Sequence, residues 1–170
     1  MIIRAFLLPL FLIACCSPKP LAQSSVSQTA QNDAALKRWV STEKKLATEG
    51  NVDAQEVMGG FYYFGIGVPQ SYPQAAYWFQ KAAEQGDAGS QFQIGDLYFK
   101  GQGVPQSFSR AYFWFDLAAA SASAKTLLGQ MPLAEMRDEA ASHLTRTEIL
   151  HVQEQAERWA ESHKLTSRAQ

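Results

Sequence analysis

Three histidines, His143, His151 and His163, and a group of carboxylates at Glu135, Asp138 and Glu139 are the side chains from which acid–base or metal chemistry would have to be built. Neither set has the spacing for it. His151 and His163 stand twelve residues apart, a separation that no common metal-ligand pattern uses. The carboxylates are interleaved with Arg137 on a stretch whose Ala140, Ala141 and Leu144 share one helical face, the pattern of a solvated surface. Two Gly-x-Gly-Val strings, beginning at Gly65 and Gly101, lack the further glycines and the lysine of a phosphate cradle, and they close a helix where a phosphate loop would open one. No Ser, His and Asp, and no Cys and His, sit in a recognisable catalytic motif. The sequence predicts no catalytic residue, no metal site and no cofactor.

The elements that carry these residues are set by a repeat. Gly65, Gly67, Val68, Pro69, Gln70 and Ser71 return 36 residues later as Gly101, Gly103, Val104, Pro105, Gln106 and Ser107. Aligning 50–85 with 86–121 keeps about 15 of 36 positions identical, among them Gln55/Gln91, Gly59/Gly95, Tyr62/Tyr98, Trp78/Trp114, Phe79/Phe115 and the pairs Ala82, Ala83 and Ala118, Ala119. A period of this length reads as stacked helix pairs. Ala54, Met58, Gly59 and Tyr62 share a face at 3.6 residues per turn and predict a first helix of the pair, here termed A, over about 53–64. Gly65 ends it, since glycine takes the left-handed conformation of a helix exit without penalty. Ser71 with Gln74 predicts a capping box, and Pro73 is tolerated in the first turn of a second helix, B, over about 72–85. Ala75, Trp78, Phe79, Ala82 and Ala83 form its buried stripe.

The joint spacing of Gly95, Tyr98, Gly101, Gly103, Val104, Ala111, Trp114, Phe115, Ala118 and Ala119, and the same series from Gly59 to Ala83, resembles the Sel1-like repeat, a relative of the tetratricopeptide repeat. Ser71 and Ser107 stand where that family usually has Asp, and Ser90 where it usually has Ala. The resemblance implies an all-α fold, a short right-handed α-solenoid of helix-turn-helix repeats. Capping helices are expected at both ends: one over 33–49, a cap or the remnant of an earlier repeat, and two over 132–144 and 146–163, the last opened by a capping box at Thr145 and Glu148. The repeat domain as a whole is expected over 32–163, with about seven helices.

With 15 basic and 16 acidic residues the formal charge is −1, and no run of five like charges occurs, which argues against a nucleic-acid partner. The only cysteines, Cys15 and Cys16, are adjacent and cannot staple the repeats. Residues 1–14, with Arg4 followed by a short apolar run, read as a signal peptide, too short to span a bilayer. Leu12, Ile13, Ala14 and Cys15 resemble the lipobox of bacterial lipoproteins. That resemblance implies cleavage before Cys15, its lipidation, and a membrane anchor, with outer-membrane sorting to the periplasmic side. Secretion as a soluble periplasmic domain, cut after Ala22, is the alternative. Residues 15–31, rich in Ser, Gln, Pro and Ala without apolar periodicity, are expected to be a flexible tether.

Stepping each A helix by 100° per residue places Asp53, Glu56, Gly60, Tyr63 and Phe64 on its outer side in the first repeat, and Gly89, Phe92, Asp96, Phe99 and Lys100 in the second. In related solenoids this side lines the concave groove. The family usually carries polar residues where Tyr63, Phe64 and Phe99 stand, and exposed aromatics enrich at protein interfaces. Tyr77 and Phe113 are likewise expected to point outward. The implied function is a non-catalytic scaffold for protein partners in the bacterial envelope, similar to adaptors of polysaccharide export or envelope-stress signalling. The alternative is a periplasmic binding module for a peptidoglycan or small-molecule, β-lactam-like ligand, with hydrolysis of that ligand as its catalytic variant.

Overall fold

The structure is a computed structural model that describes residues 21–120 and 133–167, with side chains over 31–120 and 133–163. The expected signal peptide, the lipidated Cys15 and the first residues of the tether lie outside the described residues. Among those described there are seven helices and no strand: α1 (Leu21–Thr48), α2 (Val52–Phe64), α3 (Tyr72–Glu84), α4 (Ala88–Lys100), α5 (Phe108–Ala120), α6 (Leu133–Ser142) and α7 (Arg146–Ser167). Helices α2 and α3 form the first A/B pair, α4 and α5 the second, and α6 and α7 both pack on α5. No helix among the described residues is long and apolar enough to cross a membrane.

Each boundary has a local cause. Asn51 and Asp87 cap the two A helices, accepting from the Ala54 and Ser90 amides at 2.8 and 2.6 Å. Gly65 and Gly101 close them with φ of 73° and 67°. Behind each glycine a glutamine of the repeat completes the exit: Gln70 Nε2 donates to the Tyr63 carbonyl at 2.8 Å and Gln106 Nε2 to the Phe99 carbonyl at 2.9 Å. These bonds satisfy carbonyls that a helix end leaves open. Ser71 accepts from the Gln74 amide at 3.5 Å, one half of the expected box. At Thr145 the box closes in both directions: Glu148 N–H reaches Thr145 Oγ1 at 3.3 Å, and the Thr145 amide donates to Glu148 Oε2 at 2.8 Å.

The small residues of the signature are there for close approach. A Cβ on Gly59 would collide with the Phe79 ring, and one on Gly95 would sit 2.7 Å from that of Phe115. Phe79, Phe115, Ala82, Ala83 and Ala118 are buried, and Trp78 and Trp114 lie beside them at 5% and 7% exposure. Ala119, next along the second stripe, is half-buried. Tyr98 is buried and Tyr62 half-buried. Between pairs, a second glutamine of the repeat reaches across the joint. Gln55 Nε2 donates to the Ala47 carbonyl at 3.1 Å, and Gln91 Nε2 donates to the Ala83 carbonyl at 3.2 Å.

That equivalence identifies α1. Ala47 stands 36 residues before Ala83, Gly50 and Gly86 share φ of 97° and 93°, and a Cβ on Gly67 would meet Val40 and Leu36 of α1. The C-terminal half of α1 stands in the place of a B helix, and no A helix precedes it among the described residues. Trp39 and Leu46 are accordingly 49% and 38% exposed, whereas Ala75 and Ala82, one period on, are fully buried. The helix also starts at Leu21 rather than at Asp33, which corrects the expected tether over its second half. Between Pro20 and Gly50 the chain has no proline or glycine, and its alanines and glutamines favour helix even without an apolar stripe. The last helix likewise runs beyond residue 163, to Ser167.

Candidate partner-binding surfaces

The exits of α2 and α4 come together at one end of the A helices. Tyr63 lies edge-on to Phe64 and Tyr72, with ring centroids 4.9 and 5.5 Å away. Phe64 is 64% exposed. Lys100, on the neighbouring repeat, pairs with Asp96 at 2.7 Å, and this hydrogen bond, aided by the nearby Tyr63 and Tyr72, holds its ammonium above the ordinary lysine value. The result is an aromatic step beside a fixed cation. At the opposite end of the same helices Glu56 lies by Gly89, whose missing side chain leaves room for its carboxylate. Burial, with Asp87 and Asp53 as like charges, pushes the Glu56 carboxyl above its ordinary value.

Three of the residues expected on the outer face do not project freely. Phe92 is 7% exposed because its ring turns inward to Phe115, 5.6 Å away, instead of following its 100° position out to solvent. Asp96 is 6% exposed beneath Lys100. Phe99 is half-buried against Phe108 at 5.5 Å, and His143 stacks on Phe108 at 3.9 Å. On the B side, Tyr77 is exposed as expected, with Lys81 over its ring at 5.3 Å, while Phe113 is half-buried beside Trp114. Among the described residues no three His, Cys, Asp or Glu side chains are gathered to hold a metal.

A cavity of about 550 Å³ between α3, α5 and α7 was not foreseen from the sequence. Its walls bring together Gln80, Arg110 and His151, residues that no local pattern connects.

The sequence profile of the Sel1 repeat matches residues 52–87 and 88–123. The chain carries two Sel1 repeats. The matched units open at α2 and α4, so each runs from the start of an A helix to the cap of the next. A solved structure of a protective antigen present in uropathogenic Escherichia coli strains, displaying an SLR fold, superposes with a TM-score of 0.65 at 30% identity. That similarity covers 74% of this chain and 26% of the antigen. A Sel1 repeat protein from Oxalobacter formigenes is 40% identical over 52% of this chain and 26% of its own, with a TM-score of 0.46. This chain thus spans about a quarter of either solved relative. No curated protein gives a significant match. Sel1 repeat proteins typically mediate protein–protein interactions, and the recurring residues Gly59, Tyr62, Gly65, Gly67, Trp78, Gly95, Gly101, Gly103 and Trp114 fall within the two matched units.

Proposed function

We propose that this chain is a non-catalytic scaffold, exported and held at the envelope by lipid on Cys15, that binds a protein partner at the joined exits of α2 and α4. The observation that carries the reading is Phe64. A phenylalanine 64% exposed at the end of an ordered helix, edge-on to Tyr63, itself near the Lys100 cation, adds nothing to the core and has the composition of an interface anchor. The export signal supports the envelope location, and the standing of the E. coli relative as a protective antigen fits an exported domain.

Crosslinking of the tagged full chain in its native host, with mass spectrometry of the attached protein and of the N-terminus, tests both halves. The expected result is a reproducible envelope protein crosslinked near Phe64, on a chain beginning at lipidated Cys15. Phe64→Ala should abolish the crosslink while changing stability by no more than about 0.5 kcal/mol, the usual range for an exposed substitution. A chain beginning at Gln23 would replace the anchor with soluble periplasmic secretion. A crosslink unaffected by Phe64→Ala would move the interface elsewhere.

A further inference from the structure

The open groove between α3, α5 and α7 has the size of a ligand site and carries an exposed arginine, Arg110, on its wall. Arg110 lies in the first turn of α5, where a cation opposes the helix dipole. Its guanidinium lies over the Tyr98 ring at 5.3 Å and donates one N–H, from Nη1, to Tyr98 Oη at 3.2 Å. Among the described residues no carboxylate is within ion-pair distance of it. Four of its five donors are therefore uncommitted. The repeat does not demand this residue either, since the equivalent position in the first unit is Gln74.

The rest of the lining is complementary to a peptide. Gln80 commits its Nε2 to Glu84 at 2.9 Å, and Gln155 commits its Nε2 to His151 at 3.0 Å, so each keeps Oε1 as an acceptor for a backbone N–H. Phe113 and Trp114 form an aromatic wall. Glu148, on the rim, already receives the Thr145 amide and hydroxyl hydrogens at 2.8 Å each, and these bonds hold its carboxyl below the ordinary value. Its oxygen Oε2 is turned to Thr145 at the start of its own helix, whereas Arg110, apart from Tyr98, has no carboxylate partner among the described residues.

We propose that this cavity binds an acidic peptide segment. An Asp or Glu carboxylate of the ligand pairs with the Arg110 guanidinium, adjoining backbone N–H groups donate to Gln80 and Gln155, and a neighbouring apolar side chain lies against Phe113 and Trp114. The site is separate from the exits of α2 and α4, so either reading can fail alone.

The test is an NMR titration of the full chain, following the Arg110 Nε–H and the Trp114 indole N–H. The probes are acetyl-Ala-Glu-Phe-amide and its isostere acetyl-Ala-Gln-Phe-amide. Both resonances should shift saturably with the Glu peptide, and the Gln peptide should bind about tenfold more weakly, the value of a charge-assisted pair. Arg110→Gln should erase the preference between the probes. Tyr98→Phe, which removes only the hydroxyl partner of Arg110, should keep the preference and hold affinity within about twofold, since the guanidinium keeps its charge and its donors for the ligand. Equal binding of the two probes overturns the proposal. So does a preference that survives Arg110→Gln, or the absence of any shift at either resonance. Phe64→Ala should leave the titration unchanged.

Discussion

The two A helices end alike and then diverge. Tyr63 meets Tyr72, and Phe99 meets Phe108 one period later, each pair with centroids 5.5 Å apart and planes at 71°. Beyond that shared contact, Phe108 is covered by a stacked His143, whereas the first repeat finishes on the bare ring of Phe64 and the second on the paired Lys100. The unit therefore holds constant whatever joins one layer to the next and lets the last residue before the glycine vary. A feature that recurs at 36 residues belongs to the stack, and an exposed residue that does not recur is not demanded by it. Phe64, Arg110 and Glu56, replaced one period away by Lys100, Gln74 and Phe92, are of the second kind.

The comparison breaks most visibly in the core. Phe79→Ala and Phe115→Ala remove rings that are 2% and 0% exposed, and each should cost about 3–5 kcal/mol in urea unfolding. Losses differing by more than half their size would show that the two layers are not equivalent. A smaller effect, about 1–3 kcal/mol from overpacking, is expected for Gly59→Ala and Gly95→Ala, with Gly59→Ala the worse because its Cβ would come closer to the ring.

The joint glutamines sharpen the comparison further. Gln55→Ala and Gln91→Ala each remove a side-chain bond to a carbonyl that keeps the Gly50 or Gly86 amide, a loss of about 1 kcal/mol. Gln55 also accepts from Gln85 Nε2 at 2.7 Å, while Gln91 Oε1 has no protein partner, so the first variant should melt at the lower temperature. The smallest change is expected from Glu56→Gln. Its raised carboxyl binds a proton more tightly folded than unfolded, so ionisation costs stability as pH rises from the ordinary glutamate value through the raised one. The variant should be slightly more stable than the parent at neutral pH, and that advantage should vanish in acid below the ordinary value. Parallel melting curves across that range would remove the account of Glu56 as a carboxyl raised by burial and by the charges of Asp87 and Asp53.

The core was legible in the sequence because it is written twice. Gly59, Trp78 and Phe79, repeated in register, identified two helix pairs; α2 and α3 begin and end within a residue of their expected bounds, and α4 and α5 follow 36 residues on. The surface was less legible for a physical reason. Helical phase gives the direction in which a Cβ leaves the axis, but a large ring can turn from that direction to meet another ring, as Phe92 does with Phe115. Phase also cannot report what a separate element covers, so the stacking of His143 on Phe108 could not be read from either segment alone. The cavity was invisible for the same cause: Gln80, Arg110 and His151 come from three different helices. The glutamines Gln70 and Gln106 did carry a signal, their identity across the repeat. It pointed to the carbonyls they cap and was missed because glutamine is not a usual exit residue.

The paired bonds from Gln55 to Ala47 and from Gln91 to Ala83 make the seam at Gly50 chemically interchangeable with the seam at Gly86. A cassette of 36 residues spliced in at either seam would meet on both sides the chemistry that it left, and so would the ends created by removing one. The array can lengthen or shorten only in whole units. In each new member the seams are inherited unchanged, while the residues facing outward are free to diverge.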